Sequence, residues 1–127
     1  MTALLLDTHV VLWLLDGSAR LGGRARERIT AGEVVFVSAA SVWEMSIKAA
    51  LGKLTLPADI GEAIDRSGLR DLPVTRRHAL ASGLAALPHR DPFDAILVAQ
   101  ATVERLTLLT ADEKLLNALP DAVDAMR

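Results

Sequence analysis

Short apolar runs alternate with amphipathic stretches along the whole chain, and the switch of period between them predicts a repeated order of strands and helices. Leu4-Leu5-Leu6 is apolar, too short for a helix, and stops at Asp7. Val10 to Leu15 follows with a helical pattern, and Leu21 to Ala31 reads as an Arg- and Glu-rich surface helix whose start is weakened by Gly22-Gly23. Val34 to Val37 is β-branched and aromatic, a strand by composition, and it stops at Ser38. A helix is expected from about Ser41 to Leu51, with Gly52 suited to a left-handed residue just beyond its end. Lys53 to Pro57 reads as a loop, and Pro57 as the opening of a helix that runs to about Ser67. Leu72-Pro73-Val74 predicts a marginal strand because of its proline. Arg76 to Leu87 and Pro92 to Arg105 have helical period; Leu106 to Leu109 is a strand that stops at Thr110; a short helix over Asp112 to Leu119 and an edge strand over Ala122 to Met126 complete the chain.

Strands alternating with helices predict an α/β fold of three layers, a central parallel β-sheet flanked by helices on both faces with right-handed crossovers. In such sheets the ligand crevice lies beyond the carboxyl ends of the strands, near the point where strand order reverses. The 127 residues contain no linker, repeat or low-complexity segment, so residues 1–127 are expected to form a single domain.

Composition narrows the chemistry. With 51% hydrophobic and 24% charged residues the chain is not intrinsically disordered. The absence of cysteine removes disulfides, thiol nucleophiles and Cys-based zinc sites, and a reducing cytoplasm is the simplest expected compartment. Asp7, His9 and Asp16 interrupt the N-terminal apolar stretch, so no membrane span is expected. The net charge of −2 excludes a global polycation but not a basic rim around an acidic site. The aromatics Trp13, Phe36, Trp43 and Phe93 are too few for a base-stacking platform of the RRM or OB type.

Placed on that scaffold, Asp7 follows the first strand and Asp112 lies just past the Leu106 to Leu109 strand. Glu44 is one turn into the helix after the second strand, and Asp94 is in the first turn of its own helix. Each has a local structural explanation. Ser41-x-x-Glu44 and Thr110-x-x-Glu113 have the spacing of capping boxes, and Asp91-Pro92-Phe93-Asp94 has the N-cap, proline and acid of a helix start. Convergence would change the balance. Two like charges about 4 Å apart repel by roughly 4 kcal/mol at an effective dielectric of 20, so several carboxylates at one edge require a counter-cation or protonation. An all-oxygen ligand set selects a hard ion such as Mg²⁺ or Mn²⁺ over zinc. Acidic ligands, a hard cation and a phosphate diester together make a nuclease arrangement.

The segments Leu4-Leu-Leu-Asp7-Thr8-His9-Val-Val-Leu-Trp13, Val37-Ser38-Ala-Ala-Ser41-Val-Trp43-Glu44-Met-Ser-Ile-Lys48, Leu51-Gly-Lys-Leu-Thr-Leu-Pro57, His89-Arg90-Asp91-Pro92-Phe93-Asp94 and Leu109-Thr110-Ala-Asp112 together resemble PIN-domain ribonucleases, specifically the VapC toxins of type II toxin-antitoxin systems. The resemblance is ordered and spans nearly the whole chain. It implies a PIN-like fold, a Mg²⁺-dependent endoribonuclease, a homodimer, and a cognate antitoxin that blocks the site. It also implies that Asp7, Glu44, Asp94 and Asp112 are the acidic quartet, and that cleavage leaves 3′-hydroxyl and 5′-phosphate ends.

On this reading Asp7 and Asp94 are the principal metal ligands, while Glu44 and Asp112 complete the negative pocket, hold a second ion or accept a proton from the attacking water. Asp91 is a further candidate for the metal site, though an N-cap role suffices to explain it. Thr8, Ser38, Ser41 and Thr110 offer hydroxyls to orient carboxylates or phosphate, or to cap helices. Lys48 and Arg90, with His89 and the pair Arg76 and Arg77 behind them, are candidate guides for an RNA backbone, or solvated surface charges. Trp13, Trp43 and Phe93 are expected in the core or at an interface. Three alternatives stand beside this reading: a metal-free ribonuclease using two of His9, His78 and His89; a receiver-like phospho-acceptor domain, which would want an acceptor Asp ending a middle strand; and an inactive PIN module that only binds protein.

Overall fold

A computed structural model of the chain describes residues 3–82 and 91–127. The elements in order are β1 (Leu4–Leu6), α1 (Thr8–Asp16), α2 (Gly23–Thr30), β2 (Val35–Ser38), α3 (Ala39–Ala50), α4 (Ile60–Arg66), β3 (Arg70–Leu72), α5 (Arg76–Ser82), α6 (Pro92–Glu104), β4 (Thr107–Thr110), α7 (Glu113–Ala118) and β5 (Val123–Asp124). The strands form one parallel sheet in the order β3-β2-β1-β4-β5.

The three expected layers are present, and residue alternation sorts them. Leu4 and Leu6 of β1, Val35 and Val37 of β2, and Leu109 of β4 face α1 to α4, where they pack on Val10, Val11, Ala25, Met45 and Ile64. Leu5 and Leu108 face the other way, onto Leu97, Val98 and Ala101 of α6 and Leu115 of α7. In-register pairing of Leu4, Leu5 and Leu6 with Val35, Phe36 and Val37 on one side and Thr107, Leu108 and Leu109 on the other keeps these faces consistent. Leu4 to Leu6 are fully buried, as expected of a central strand covered on both faces.

From β1 the chain builds outward through β2 and β3, then returns to place β4 on the opposite side of β1. Strand order therefore reverses at β1 and β4, and the crevice lies beyond their carboxyl ends, next to Asp7 and Thr110.

Several boundaries differ from those expected. The third strand is Arg70–Leu72, not Leu72 to Val74, because Pro73 has no N–H for the ladder with β2 and ends the strand. Pro57 does not open a helix: it forms a turn whose carbonyl accepts from the Ile60 amide, and α4 begins at Ile60. Neither expected capping box forms. Helix α3 starts at Ala39 with Ser38 as its cap, so Ser41 lies inside it; α7 is capped by Asp112, not Thr110. The expected helix from Arg76 is described as far as Ser82, and its remainder to Leu87 lies outside the described residues. Gly22, read as a weakness, is required. Its amide donates to the Ala125 carbonyl at 2.9 Å, and a Cβ there would lie 2.2 Å from the Arg127 backbone. Among the described residues no helix is long and apolar enough to cross a membrane.

Candidate active site

Asp7 ends the run of buried leucines and starts α1. Its side chain does not cap that helix; it turns to β4, where the Thr110 hydroxyl donates to Asp7 Oδ2 at 2.6 Å. Asp7 is only 7% exposed, and burial raises its carboxyl above the usual range. The Thr110 hydroxyl, the Thr8 backbone and the nearby His9 oppose that rise, whereas the charge of Glu44 adds to it.

Glu44 projects from the second turn of α3 and is 5% exposed. Its Oε1 lies 2.7 Å from Thr8 Oγ1, which lies 3.1 Å from Ser41 Oγ. A carboxylate can only accept, so the single Thr8 proton goes to Glu44 and Thr8 accepts from Ser41. On its other side Glu44 Oε2 accepts from Lys48, one turn later on the same helix. That contact raises the Lys48 ammonium above its ordinary range against the opposing effect of burial, with the charges of Glu44, Asp91 and Asp94 adding to it.

Asp94 is 8% exposed in the first turn of α6. The helix start that places it is held by Asp91, whose Oδ1 accepts from the Phe93 and Asp94 amides, and Pro92 needs no partner at that position. Asp112 follows β4 and caps α7 through Oδ1, which accepts from the Lys114 amide at 2.8 Å, while its own amide donates to Thr110 Oγ1 at 3.1 Å. Thr110 thus holds an acid on either side.

Asp7, Glu44, Asp94 and Asp112, each from a different element, line one cleft of about 470 Å³ together with Lys48 and Asp91. Thr8, Ser41 and Thr110 stand behind the acids and fix them. Ser38 does not join: its buried hydroxyl accepts from the Ala40 amide and caps α3. Arg76 and Arg77 do not border the cleft, and Arg90 and His89 lie outside the described residues. His78 is buried between α5 and α6, bonded to the Thr75 amide and Glu104, so it forms no pair with the exposed His9. Strands β2 and β3 end in Ser38 and Leu72, which leaves a receiver-like site without its acceptor. Trp43, expected in the core or at an interface, is 62% exposed and meets Phe93 edge to face.

The cleft also contains residues that sequence reasoning did not place there: His9, Trp13, Arg20 and Met126. A helix starting at Thr8 puts His9 and Trp13 on one stripe at i and i+4, which was a readable signal. Arg20 and Met126 arrive through loop packing and the C-terminal turn and carry no local signal.

Among the described residues no three His, Cys, Asp or Glu side chains close on a point as a ready-made metal cage. The arrangement instead fits a hard cation that keeps much of its water, since Mg²⁺ is commonly held by one or two carboxylates in a wider site. Five carboxylates and one imidazole, that of His9, face the cleft, and Asp7, raised by burial and by Glu44, sits in a field that a cation would relieve.

A family model of the PIN domain matches residues 4–119. No curated protein matches the chain in sequence. Among solved structures the chain is similar to a toxin-antitoxin complex from Klebsiella pneumoniae, at 19% identity and TM-score 0.67, covering 97% of this chain and 98% of that one. It is also similar to VapBC2 from Rickettsia felis bound to a promoter DNA fragment, at 15% identity and TM-score 0.68 over 95% and 96% of the two chains. DNA-bound VapBC from Salmonella typhimurium matches over 100% of both chains at 16% identity and TM-score 0.69.

Proposed function

Because the chain belongs to the PIN-domain family, we propose that it is a VapC-like toxin: a Mg²⁺-dependent endoribonuclease that a cognate antitoxin inhibits and that acts as a homodimer. The observation that carries the reading is the meeting of Asp7, Glu44, Asp94 and Asp112 at one cleft on the carboxyl edge of the sheet. That structures with the same fold are those of toxin-antitoxin complexes supports it.

Asp7 and Asp94 would hold the ion, with Glu44 and Asp112 completing the negative pocket; Mn²⁺ would substitute. A bound ion of this kind makes hydroxide accessible at neutral pH and neutralises charge on the phosphate. The chain supplies the rest. Thr110 locks the Asp7 carboxylate in place, so its direction is set before substrate arrives. Both Glu44 oxygens are engaged, one by Thr8 and one by Lys48, which suits it to shaping the field. Asp112 uses Oδ1 to cap α7 and has no bond at Oδ2 among the described residues, so it is the group assigned to take the proton of the attacking water. The water oxygen bonds to phosphorus, the bond from phosphorus to the 3′ oxygen breaks, that oxygen takes a proton from solvent, and the products carry 3′-hydroxyl and 5′-phosphate ends.

Expressing the chain alone and with candidate antitoxins tests this reading. Growth arrest relieved by one antitoxin, with new RNA 5′ ends bearing phosphate, is the expected result. Normal growth with intact RNA, or a cyclic phosphate at the cut, would refute it. Light scattering on the purified chain tests the homodimer.

A further inference from the structure

Arg20 borders the acidic cleft, yet nothing in the assigned chemistry uses it. It lies in the loop between α1 and α2, and that loop is pinned throughout. The Ser18 amide donates to the Trp13 carbonyl at 2.9 Å, Ser18 Oγ accepts from the Arg20 amide at 3.2 Å, and the Arg26 guanidinium donates to the Ser18 carbonyl at 2.8 Å. Leu21 is buried, and the Gly22 amide is tied to Ala125. The backbone under Arg20 is therefore fixed, and its exposed side chain starts from the cleft wall.

The electrostatics of that wall are uneven. Five carboxylates line the cleft: those of Asp7, Glu44, Asp91, Asp94 and Asp112. Lys48 is already bonded to Glu44. Arg20, by contrast, forms no ion pair or side-chain hydrogen bond with any described residue, although acids border the same space. A guanidinium that faces a carboxylate-lined cleft without closing on a carboxylate keeps its donor fork for a ligand. That fork matches phosphate oxygens.

We propose that Arg20 binds a backbone phosphate next to the scissile one and so holds the RNA strand along the acidic cleft. Lys48 is bonded to Glu44 and the proposed ion serves the scissile phosphate, so a neighbouring phosphate would otherwise meet the repulsion of the remaining carboxylates. Arg20 is a positioning residue here, not one that touches the reacting atoms. The inference rests on the ribonuclease reading, and its test separates the two.

The test is steady-state cleavage of a short RNA by wild type, R20A, R20K and, as a charge control, R70A, which alters an exposed arginine at the start of the outer strand β3. KM for R20A is expected to rise roughly three- to tenfold with kcat nearly unchanged, and the dependence of log KM on log salt to lose about 0.7 in slope, one phosphate contact on a single strand. R20K should recover the slope but only part of the KM, since it restores charge without the fork. R70A should match wild type, and thermal melts of all four should agree. An unchanged KM and slope in R20A, or equal effects in R70A, would overturn the Arg20 assignment while leaving the ribonuclease reading intact. Failure of wild type to cleave would instead overturn the ribonuclease reading, and this inference with it.

Discussion

Thr110 donates a 2.6 Å hydrogen bond to Asp7 across 103 positions of sequence, joining the last residue of β4 to the first residue after β1. The same hydroxyl oxygen accepts from the Asp112 amide. One buried side chain thereby sets the direction of the Asp7 carboxylate and ties down the backbone that carries Asp112, at the point where strand order reverses.

T110V should therefore remove two bonds at once. It leaves Asp7 Oδ2 without a donor and the Asp112 amide without an acceptor, and a loss of about 1–3 kcal/mol in stability is expected by denaturant unfolding. T110S keeps the hydroxyl and should restore most of the stability and the RNA cleavage. A T110V protein as stable and active as wild type would contradict this role.

Asp7 gives a pH prediction with a definite sign. Its carboxyl is raised above 3.8, chiefly by burial, so its contribution favours the fold at pH below that value and becomes a cost as pH rises through the raised value. Ionisation of Asp7 thus opposes folding when no metal is bound. D7N should raise the melting temperature by a few degrees in EDTA near pH 7, with the gap closing in acid, while losing cleavage. A lower D7N melting temperature at neutral pH would show that the charge is not a burden.

Lys48 acts in the opposite sense. Raised above 10.5 by its bond to Glu44, it stabilises the fold through neutral pH, and that contribution fades only as pH climbs past its raised value. Its side chain is 37% exposed, so K48M should cost no more than about 1 kcal/mol. Removing the cation also leaves Glu44 uncompensated in the cleft. Calorimetric titration with Mn²⁺ should then show tighter binding in K48M than in wild type; unchanged or weaker binding would mean that Glu44 lies outside the field of the ion.

The fold was largely legible in the sequence because strands buried on both faces must be apolar throughout: Leu4 to Leu6, Val35 to Val37 and Leu108-Leu109 announce themselves. The edge strand β3 did not, since Arg70 and Asp71 are exposed and carry no apolar signal and its pairing with β2 is set by tertiary packing, whereas β5 falls within the edge strand expected over Ala122 to Met126. Asp7, Glu44, Asp94 and Asp112, four of the five acids at the cleft, were readable as strand-end and helix-start carboxylates. What sequence left open was which hydroxyls orient acids and which cap helices. Ser41 and Thr110 have the local spacing of caps, but both bond to partners brought near only by the sheet, while Ser38, offered as a carboxylate-orienting group, is the actual cap of α3. Arg20 was invisible for the same reason: a residue delivered by a pinned loop has no periodicity to read.

Cleavage of RNA by the purified chain, first in EDTA and then with Mg²⁺ restored, beside D94N under both conditions, tests the acidic cleft most directly. The account predicts no cutting by wild type in EDTA, recovery on adding Mg²⁺ or Mn²⁺, and none by D94N in either state. Cutting that persists in EDTA, or that survives in D94N, would contradict it.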